Sequence, residues 1–193
     1  MNNISFKQYR AIDLCIWLVI LLVFESVTAT AAARWFPEEL YTLSQTAVVL
    51  CIVMMRWGGY AVFHAVAGGI AFCLASGGSP EQFVMYCVGN CFALAALALF
   101  KAVGKEKVRS RVHFTVMFTA AVFCGVQLGR WLVSLIFGAP ADSLVMFFAT
   151  DSLTFPYSVV VVLVSRRVDG LYEDQKSYLI RTESERKRRE EEF

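Results

Sequence analysis

The length, composition and charge of this chain exclude an ordinary soluble domain. Of its 193 residues, 58% are hydrophobic and only 18% are charged, whereas soluble domains carry about 25% charged residues. The mean hydropathy is positive, at +0.57. Residues 166–193 hold 8 of the 18 Lys and Arg and 8 of the 16 Asp and Glu, so the remainder has too few charges for a soluble surface. We therefore predict an all-α membrane protein.

Six apolar runs follow one another along the chain. A membrane-spanning helix needs about 20 mostly apolar residues at about 1.5 Å each, and Gly or Pro residues such as Gly58-Gly59 separate several of the runs. We predict a cytoplasmic N-terminus over 1–11, a bundle of six transmembrane helices over 12–165 and a charged cytoplasmic tail over 166–193. The apolar runs are 12–33, 42–55, 59–76, 82–100, 112–137 and 143–165.

The first run leaves one alternative open. Small residues between Val27 and Ala33 are spaced like a signal-peptidase site. The run nevertheless continues through Glu25 to 22 residues, which is longer than the apolar region of a signal peptide. We therefore predict a retained helix, with cleavage as the alternative, and the rest of the topology is the same in both cases.

Lys and Arg are distributed unequally between alternate loops. One side of the predicted bundle has only Arg34, next to Trp35 and Tyr41, which we expect to anchor the outer interface. Because basic residues stay on the cytoplasmic side, we predict a multi-pass protein of the cell membrane with both termini inside. The basic residues on that side are Lys7, Arg10, Arg56, Lys101, Lys105, Lys107, Arg109, Arg111, Arg166 and Arg167.

Three charged residues stand out deep within the apolar runs, namely Glu25, Arg130 and Asp151. A charge in hydrocarbon costs about 3 kcal/mol or more, so each should face the bundle interior and have a partner or a function. All three lie about 12–14 Å below the outer helix ends. Other polar residues share this level, and we predict a cavity, reached from outside, that binds a small-molecule solute. The further candidates are Gln45, Tyr86, Asn90, Gln127 and Thr154.

The charged residues also permit a structural interpretation, in which Arg130 pairs with Asp151 or with Glu25 and only holds helices together. Buried ion pairs give little net stability because desolvation offsets the Coulomb attraction, and this favours a binding role. If all three are ionised, one excess negative charge suits a zwitterionic or weakly cationic solute. A carboxyl group kept protonated by burial would remove that inference.

Small residues at helical spacing mark two helices. In a membrane, such residues let helix backbones approach closely. Ala29 and Ala33 lie on the first predicted helix, and Ala61, Ala65 and Gly69 lie on the third. Packing within the bundle is one explanation for these stripes, and docking of a partner subunit is the other.

The sequence gives no positive sign of catalysis. It lacks a His-Glu-x-x-His pair, a Gly-x-Ser-x-Gly turn and a Walker loop. Cys87 and Cys91 share a helix face, but no His or carboxylate pair accompanies them as a metal site requires. The net charge of +2 does not indicate nucleic-acid binding. We expect no enzyme activity, metal, cofactor or nucleic-acid partner.

Two local motifs accompany this architecture. Residues 56–60, Arg-Trp-Gly-Gly-Tyr, form a short inner turn, and Gly89-Asn90 with Lys101 gives the fourth helix a small residue, an Asn and a basic end. With six short helices, both termini inside and an outer polar pocket, the chain over about residues 8–167 resembles the substrate-binding S component of energy-coupling factor (ECF) vitamin transporters.

The resemblance implies a passive subunit that captures a vitamin-like solute outside the cell. Its implied partners are the ECF transmembrane coupling subunit and an ATPase pair. That family meets the coupling subunit through Ala-x-x-x-Ala faces on helix 1. Here the pair of Ala29 and Ala33 is near the outer end, so the stripe on the third helix is a second candidate docking surface.

A protein of another class is similar in size and helix count, namely the bacterial rod-shape protein MreD. In that interpretation the chain is a membrane scaffold without a small-molecule substrate. The polar cluster then serves helix packing, and the charged tail over 166–193 is the working part.

Overall fold

The computed structural model describes residues 5–35 and 41–191. Within these ranges the protein is 84% helical and has no strands, so the predicted all-α class is confirmed. The polar link with Pro37, Glu38 and Glu39 lies outside the described residues. The helices are α1 (Phe6–Trp35), α2 (Thr46–Trp57), α3 (Val62–Ser76), α4 (Pro80–Cys91), α5 (Leu97–Ala102), α6 (Lys105–Ser110), α7 (Val112–Ile136), α8 (Leu144–Thr150), α9 (Thr154–Ser165) and α10 (Gln175–Glu191), with short 3₁₀ turns at Gly58–Ala61, Phe92–Ala96 and Ala141–Ser143.

Several helical stretches are long and apolar enough to cross a membrane. In the part of the chain that the structure describes, four continuous stretches meet this condition, and α8 with α9 would add a fifth as one bent span. The chain therefore has the helices of a multi-pass membrane protein, although this count by length stays below the predicted six. The four stretches are Phe6–Trp35, Thr46–Ser76, Pro80–Ala102 and Val112–Ile136.

The stretch from Thr46 to Ser76 is not one straight rod, because it reverses direction at Gly58. The backbone of Gly58 has a φ of +61°, which glycine adopts at no steric cost. A β-carbon on Gly68 would overlap the side chain of Thr46, whereas a straight helix would hold these residues about 33 Å apart. α2 and α3 are therefore antiparallel neighbours.

α2 is the central helix of the bundle. Every residue from Thr46 to Trp57 is buried, as expected for a helix that is apolar on all sides. Its 12 residues extend only about 18 Å. Residues 41–45 are not helical, so the chain enters the bundle in an irregular conformation before α2 begins. The predicted run over 42–55 therefore becomes helical only after this entry.

α4 and α7 approach each other closely at glycine. A β-carbon on Gly129 would overlap the carbonyl oxygen of Gly89, and a β-carbon on Gly89 would lie 2.6 Å from the Cα of Arg130. Without side chains at these two positions, the helix backbones can touch, as small residues allow in membrane bundles. This contact places Arg130 beside the polar face of α4.

The last predicted run is a broken helix. α8 ends at Thr150, α9 begins at Thr154, and the two helices are bent by 50°. Pro156 lies in the first turn of α9, where its missing N–H removes no helical hydrogen bond. The backbone N–H of Thr42 donates to the carbonyl oxygen of Thr150 at 2.9 Å. A neighbouring segment thus provides a donor for a free carbonyl oxygen at the break, as irregular backbone at membrane depth requires.

The beginning of the charged tail packs against one end of the bundle. Arg56 at the end of α2 donates through Nη1 to the carbonyl oxygens of Gly170 at 2.6 Å and Leu171 at 2.9 Å. The same guanidinium binds Asp13 of α1 through Nε and Nη2, at 2.9 and 2.5 Å. Tyr172 is only 2% exposed and belongs to the apolar core. The first part of the charged tail predicted over 166–193 is thus folded onto the protein.

Ion pairs hold the same part of the tail. Lys105 pairs with Asp174, and Arg109 pairs with Glu173 at 2.9 Å. Burial raises the pKa of the Asp174 carboxyl, but the hydrogen bond and the charge of Lys105 outweigh it and hold this pKa below its ordinary value. The pair is therefore fully formed above the ordinary Asp pKa of about 4 and is lost as the pH falls through the lowered value.

We expect Gly129→Ala to destabilise the protein, because the added methyl group would force α4 and α7 apart. The matched control is Gly59→Ala, since a β-carbon there would meet no atom within 4 Å. Thermal unfolding in detergent should give a loss of about 1–3 kcal/mol for Gly129→Ala and little change for Gly59→Ala. Equal effects of the two substitutions would contradict close packing of α4 on α7.

Removing the Tyr172 ring should release the tail from the bundle. Tyr172→Ala deletes a buried aromatic side chain, a change that costs about 3–5 kcal/mol in a core, whereas Val168 is 51% exposed and Val168→Ala is the control. Limited trypsin digestion should then cut after Lys176 or Arg181 faster in the first variant alone. Unchanged cleavage would show that the ring does not hold the tail.

Candidate functional site

Glu25 of α1 is buried, with 1% of its surface exposed, and it caps the start of α2. Its Oε2 accepts hydrogen bonds from the backbone N–H groups of Gln45 at 2.7 Å and Thr46 at 2.9 Å. The hydroxyl of Ser44 donates to Oε1 of Glu25 at 2.9 Å, and the hydroxyl of Thr46 donates to Oε2 at 3.1 Å. The first amides of a helix lack partners within the helix and carry partial positive charge. Glu25 supplies the missing acceptor.

Asp151 lies at the break between α8 and α9 and binds α7. Its Oδ2 accepts hydrogen bonds from Gln127 Nε2 at 2.7 Å and Arg130 Nη1 at 2.6 Å, and its Oδ1 accepts one from the hydroxyl of Thr42. Asp151 and Arg130 are each 3% exposed, so they form a buried ion pair. This is one of the two pairings that the sequence left open.

The guanidinium of Arg130 also binds α4. Its Nε donates to Asn90 Oδ1 at 2.9 Å, and Asn90 Nδ2 donates in turn to the carbonyl oxygen of Ala65 on α3 at 3.1 Å. The guanidinium carbon lies 4.4 Å from the centre of the Tyr86 ring, within the range of a cation–π interaction. Arg130 thus links α7, α4 and, through Asn90, α3.

α9 joins the same network through two hydrogen bonds. The hydroxyl of Thr154 accepts a hydrogen bond from the backbone N–H of Ser44 at 3.0 Å. The hydroxyl of Tyr157 donates to Gln45 Oε1 at 2.5 Å. Both contacts reach the residues that immediately precede α2.

Residues 42–46, which we call the bridging segment, connect the two buried carboxylates. Its first residue, Thr42, binds Asp151, and Ser44 to Thr46 bind Glu25. Glu25 lies ten residues before Trp35, the last residue of α1, so the segment reaches about 15 Å below that helix end. Buried backbone without helical hydrogen bonds needs other partners, and these side chains provide them.

The structure brings all eight predicted solute-binding residues into this one network. Their charged atoms are occupied by protein partners, so a solute would have to displace one of these partners to bind a carboxylate. Two buried polar atoms nearby, Gln127 Oε1 and Ser158 Oγ, have no hydrogen-bond partner in the described structure. The geometry is that of a structural ion-pair network. The eight predicted solute-binding residues in this network are Glu25, Gln45, Tyr86, Asn90, Gln127, Arg130, Asp151 and Thr154.

A cleft of about 540 Å³ lies directly beside the network, and we call it the outer cleft. Thr42 belongs to both, because it borders the cleft and binds Asp151. This volume is within the range of about 300–1,000 Å³ that small-molecule sites have. The residues around the cleft are Thr28, Ala31, Ala32, Trp35, Tyr41, Thr42, Leu43 and Leu153.

Sequence reasoning missed the outer cleft because it looked for charged residues, and the lining residues within 5–35 and 41–191 are uncharged. The available signal was the pair of aromatic residues on either side of the first loop, Trp35 and Tyr41. Both were expected to anchor the membrane interface, and both line the cleft.

The candidate docking stripe on α3 requires a correction. Ala61, Ala65 and Gly69 are buried, and a β-carbon on Gly69 would lie 2.7 Å from the backbone nitrogen of Cys87. The stripe packs α3 against α4, so no partner subunit reaches it in this conformation. On α1, Ala29 is buried and Ala33 is exposed.

His64 and Cys87 each contact a neighbouring helix. His64 is 1% exposed, and its Nε2 lies 3.1 Å from the carbonyl oxygen of Leu14. The thiol of Cys87 donates to the carbonyl oxygen of Val66 at 3.6 Å. Across residues 5–35 and 41–191, no three His, Cys, Asp or Glu side chains are close enough to hold a metal ion.

Comparisons with protein-family models, with curated proteins and with solved structures give no match to this chain. Its function is therefore inferred from the contacts described above.

Replacing both members of the buried ion pair should cost less than the sum of the two single replacements. Asp151→Asn leaves the charge of Arg130 buried without a counter-charge, and we expect a loss of about 3–5 kcal/mol in stability. The double variant Arg130→Gln/Asp151→Asn removes both charges and should lose less than the sum of the single variants. Unfolding by SDS would measure these differences.

The control is Asp142→Asn, because Asp142 is exposed on the turn before α8 and should contribute little. Additive effects of Arg130→Gln and Asp151→Asn would contradict the pairing.

Proposed function

We propose that this chain is the solute-capture (S) component of an ECF-type vitamin or micronutrient importer and that it holds its solute in the outer cleft. The observation that carries the proposal is the position of this cleft beside the bridging segment. Thr42 borders the cleft and also binds Asp151. A solute that contacts Thr42 therefore acts on the residue that joins the first loop to the broken span of α8 and α9.

Six crossings with both termini in the cytoplasm are part of this proposal. Counting α2 and α3 separately, α4 with α5 as one span and α8 with α9 as another gives six. The reversal at Gly58 supports the first division. Asp13, Arg56, Lys105 and Gly170 meet at one end of the bundle, which supports an even number of crossings. The excess of Lys and Arg at that end favours the cytoplasm.

Coupling and ATPase subunits would have to supply the energy for import. The buried stripe on α3 does not offer them a surface, whereas one face of α1 is exposed along its length. An apolar face of this kind contacts lipid or a membrane partner. Its exposed residues include Ile12, Ile16, Val19, Val23 and Val27.

An MreD-like membrane scaffold without a solute is the second candidate function. Two observations favour it, namely the self-contained ion-pair network and the docking of residues 170–175 onto the bundle. In this alternative the charged helix α10, which is exposed at Arg181, would bind a cytoplasmic partner, and the outer cleft would hold lipid.

Co-purification tests the capture proposal. The full-length protein, purified in detergent from cells grown in rich medium, should carry a small molecule that mass spectrometry detects. Ala32→Phe places a ring in the outer cleft and should abolish this signal. Val27→Phe adds the same ring to the same helix at a position that is 60% exposed and outside the cleft, and it should retain the solute.

Both variants should keep the melting temperature of the original protein within about 2 °C, because neither replaces a core residue. A solute that survives Ala32→Phe would contradict the cleft as its site. If no solute is found, and a cytoplasmic partner is captured only when α10 is present, the scaffold is the correct interpretation.

A further inference from the structure

One buried guanidinium, that of Arg56, joins the charged tail to α1. Arg56 lies near the end of α2 and is only 6% exposed. Its Nε and Nη2 bind the carboxylate of Asp13 on α1, and its Nη1 donates to the carbonyl oxygens of Gly170 and Leu171. Residues 166–174 connect α9 to α10, and we call them the strap. The strap is thus tied to α1 through a side chain of α2.

The two halves of α1 are held in different ways. In the part of the chain that the structure describes, the buried residues of α1 are Leu21, Glu25 and Ala29, and all three belong to its second half. Glu25 fixes this half to the start of α2 through the bridging segment. The first half is less deeply buried, although Leu14 and Trp17 pack against the apolar core.

A second contact joins the first half of α1 to the strap. The hydroxyl of Tyr9 donates to Oε1 of Gln175, the first residue of α10, at 2.9 Å. Gln175 Nε2 donates in turn to the carbonyl oxygens of Gly170 at 2.7 Å and Glu173 at 3.1 Å. α1 therefore meets the strap through both Arg56 and Gln175.

One ring and two ion pairs fasten the strap to the bundle. Tyr172 is buried in the apolar core, Glu173 pairs with Arg109 at 2.9 Å, and Asp174 pairs with Lys105. The side chains of Lys105 and Asp174 are 32% and 29% exposed, and ion pairs that water reaches weaken as the salt concentration rises. These contacts can therefore be undone without separating the apolar helices from one another.

Departure of the strap would leave Arg56 Nη1 without both of its carbonyl acceptors. Buried donors of a cation that lack acceptors are strongly unfavourable, and water can replace the carbonyl oxygens only if this end of the bundle opens. The first half of α1 is able to move for this purpose, because it is shallowly buried while its second half stays anchored at Glu25.

We propose that the strap is a releasable fastening that keeps the first half of α1 against α2. When the strap leaves, α1 tilts about Glu25 and opens the end of the bundle where Asp13 and Arg56 meet. This device does not depend on whether the chain captures a solute. In an importer, it would control access to the bundle from the end opposite the outer cleft.

Distances between pairs of spin labels test this inference on the full-length protein in lipid nanodiscs. The first pair, Ile12→Cys with Val112→Cys, reports the strap end, and the second pair, Val27→Cys with Val145→Cys, reports the other end. All four positions are at least 52% exposed. Cys15→Ala removes an exposed native thiol, and this chain without added cysteines gives the background.

Two substitutions should release the strap, and each has a matched control. Gly170→Val places a side chain at a φ of +68°, where a β-carbon would lie 2.8 Å from the ring of Tyr178, and Tyr172→Ala removes the buried ring. The control for the first is Gly138→Val, which has a similar φ of +83° but no atom within 4 Å of a β-carbon. The control for the second is Val168→Ala, at an exposed position of the strap.

Both releasing variants should be cut faster by trypsin after Lys176, which shows that the strap has left. In both, the first label pair should move by about 5 Å, the effect of a tilt of about 15° at about 20 Å from Glu25. The second pair should keep its distance, and both controls should keep both distances.

Three results would overturn the proposal. If the tail is cut faster and the first distance stays unchanged, α1 does not depend on the strap. If both distances shift, the tail supports the whole bundle rather than one helix. If neither substitution speeds cleavage of the tail, the strap is not releasable.

Discussion

The hydrogen bonds between the bridging segment and two buried carboxylates are the constraint on which the rest of this structure depends. Glu25 and Asp151 are buried inside the bundle, and residues 42–45 run beside them in an irregular conformation before α2 begins. Each would be costly alone, because unpaired charges and unpaired backbone are both disfavoured in hydrocarbon. The donors of the bridging segment bind the two carboxyl groups, and Arg130 neutralises the charge of Asp151.

This arrangement explains the irregular features of the fold. The chain has to enter the bundle before α2 can begin, which makes α2 short and wholly buried. The break between α8 and α9 exposes the carbonyl oxygen of Thr150 and directs Asp151 towards the bridging segment. In the proposed function, this arrangement also separates the charged residues from the solute-binding cleft. The charged residues hold the helices, and the outer cleft beside them is left for a solute.

The sequence predicted the helical class and the residues that meet at one depth, because burying charge in an apolar bundle forces such residues together. It left open whether these residues pair with one another or bind a solute, and it did not predict the backbone partners of Glu25. Donors from the bridging segment to Glu25 include the backbone amides of Gln45 and Thr46. The residue type does not indicate which backbone groups will bind a side chain. The outer cleft was missed for a related reason, since small and aromatic residues such as Ala32 and Trp35 are common in any membrane helix. The docking of Tyr172 was not predicted, because Tyr172 lies within a charged segment.

Residue-resolved hydrogen exchange of the backbone amides in the bridging segment tests this account most directly. Amides at the start of a helix ordinarily exchange quickly, because they have no acceptor within the helix. If Glu25 accepts from Gln45 and Thr46, NMR should find both amides strongly protected in the intact protein and exposed to exchange in Glu25→Ala, while amides in the middle of α7 stay protected. Rapid exchange of these two amides in the intact protein would contradict the account.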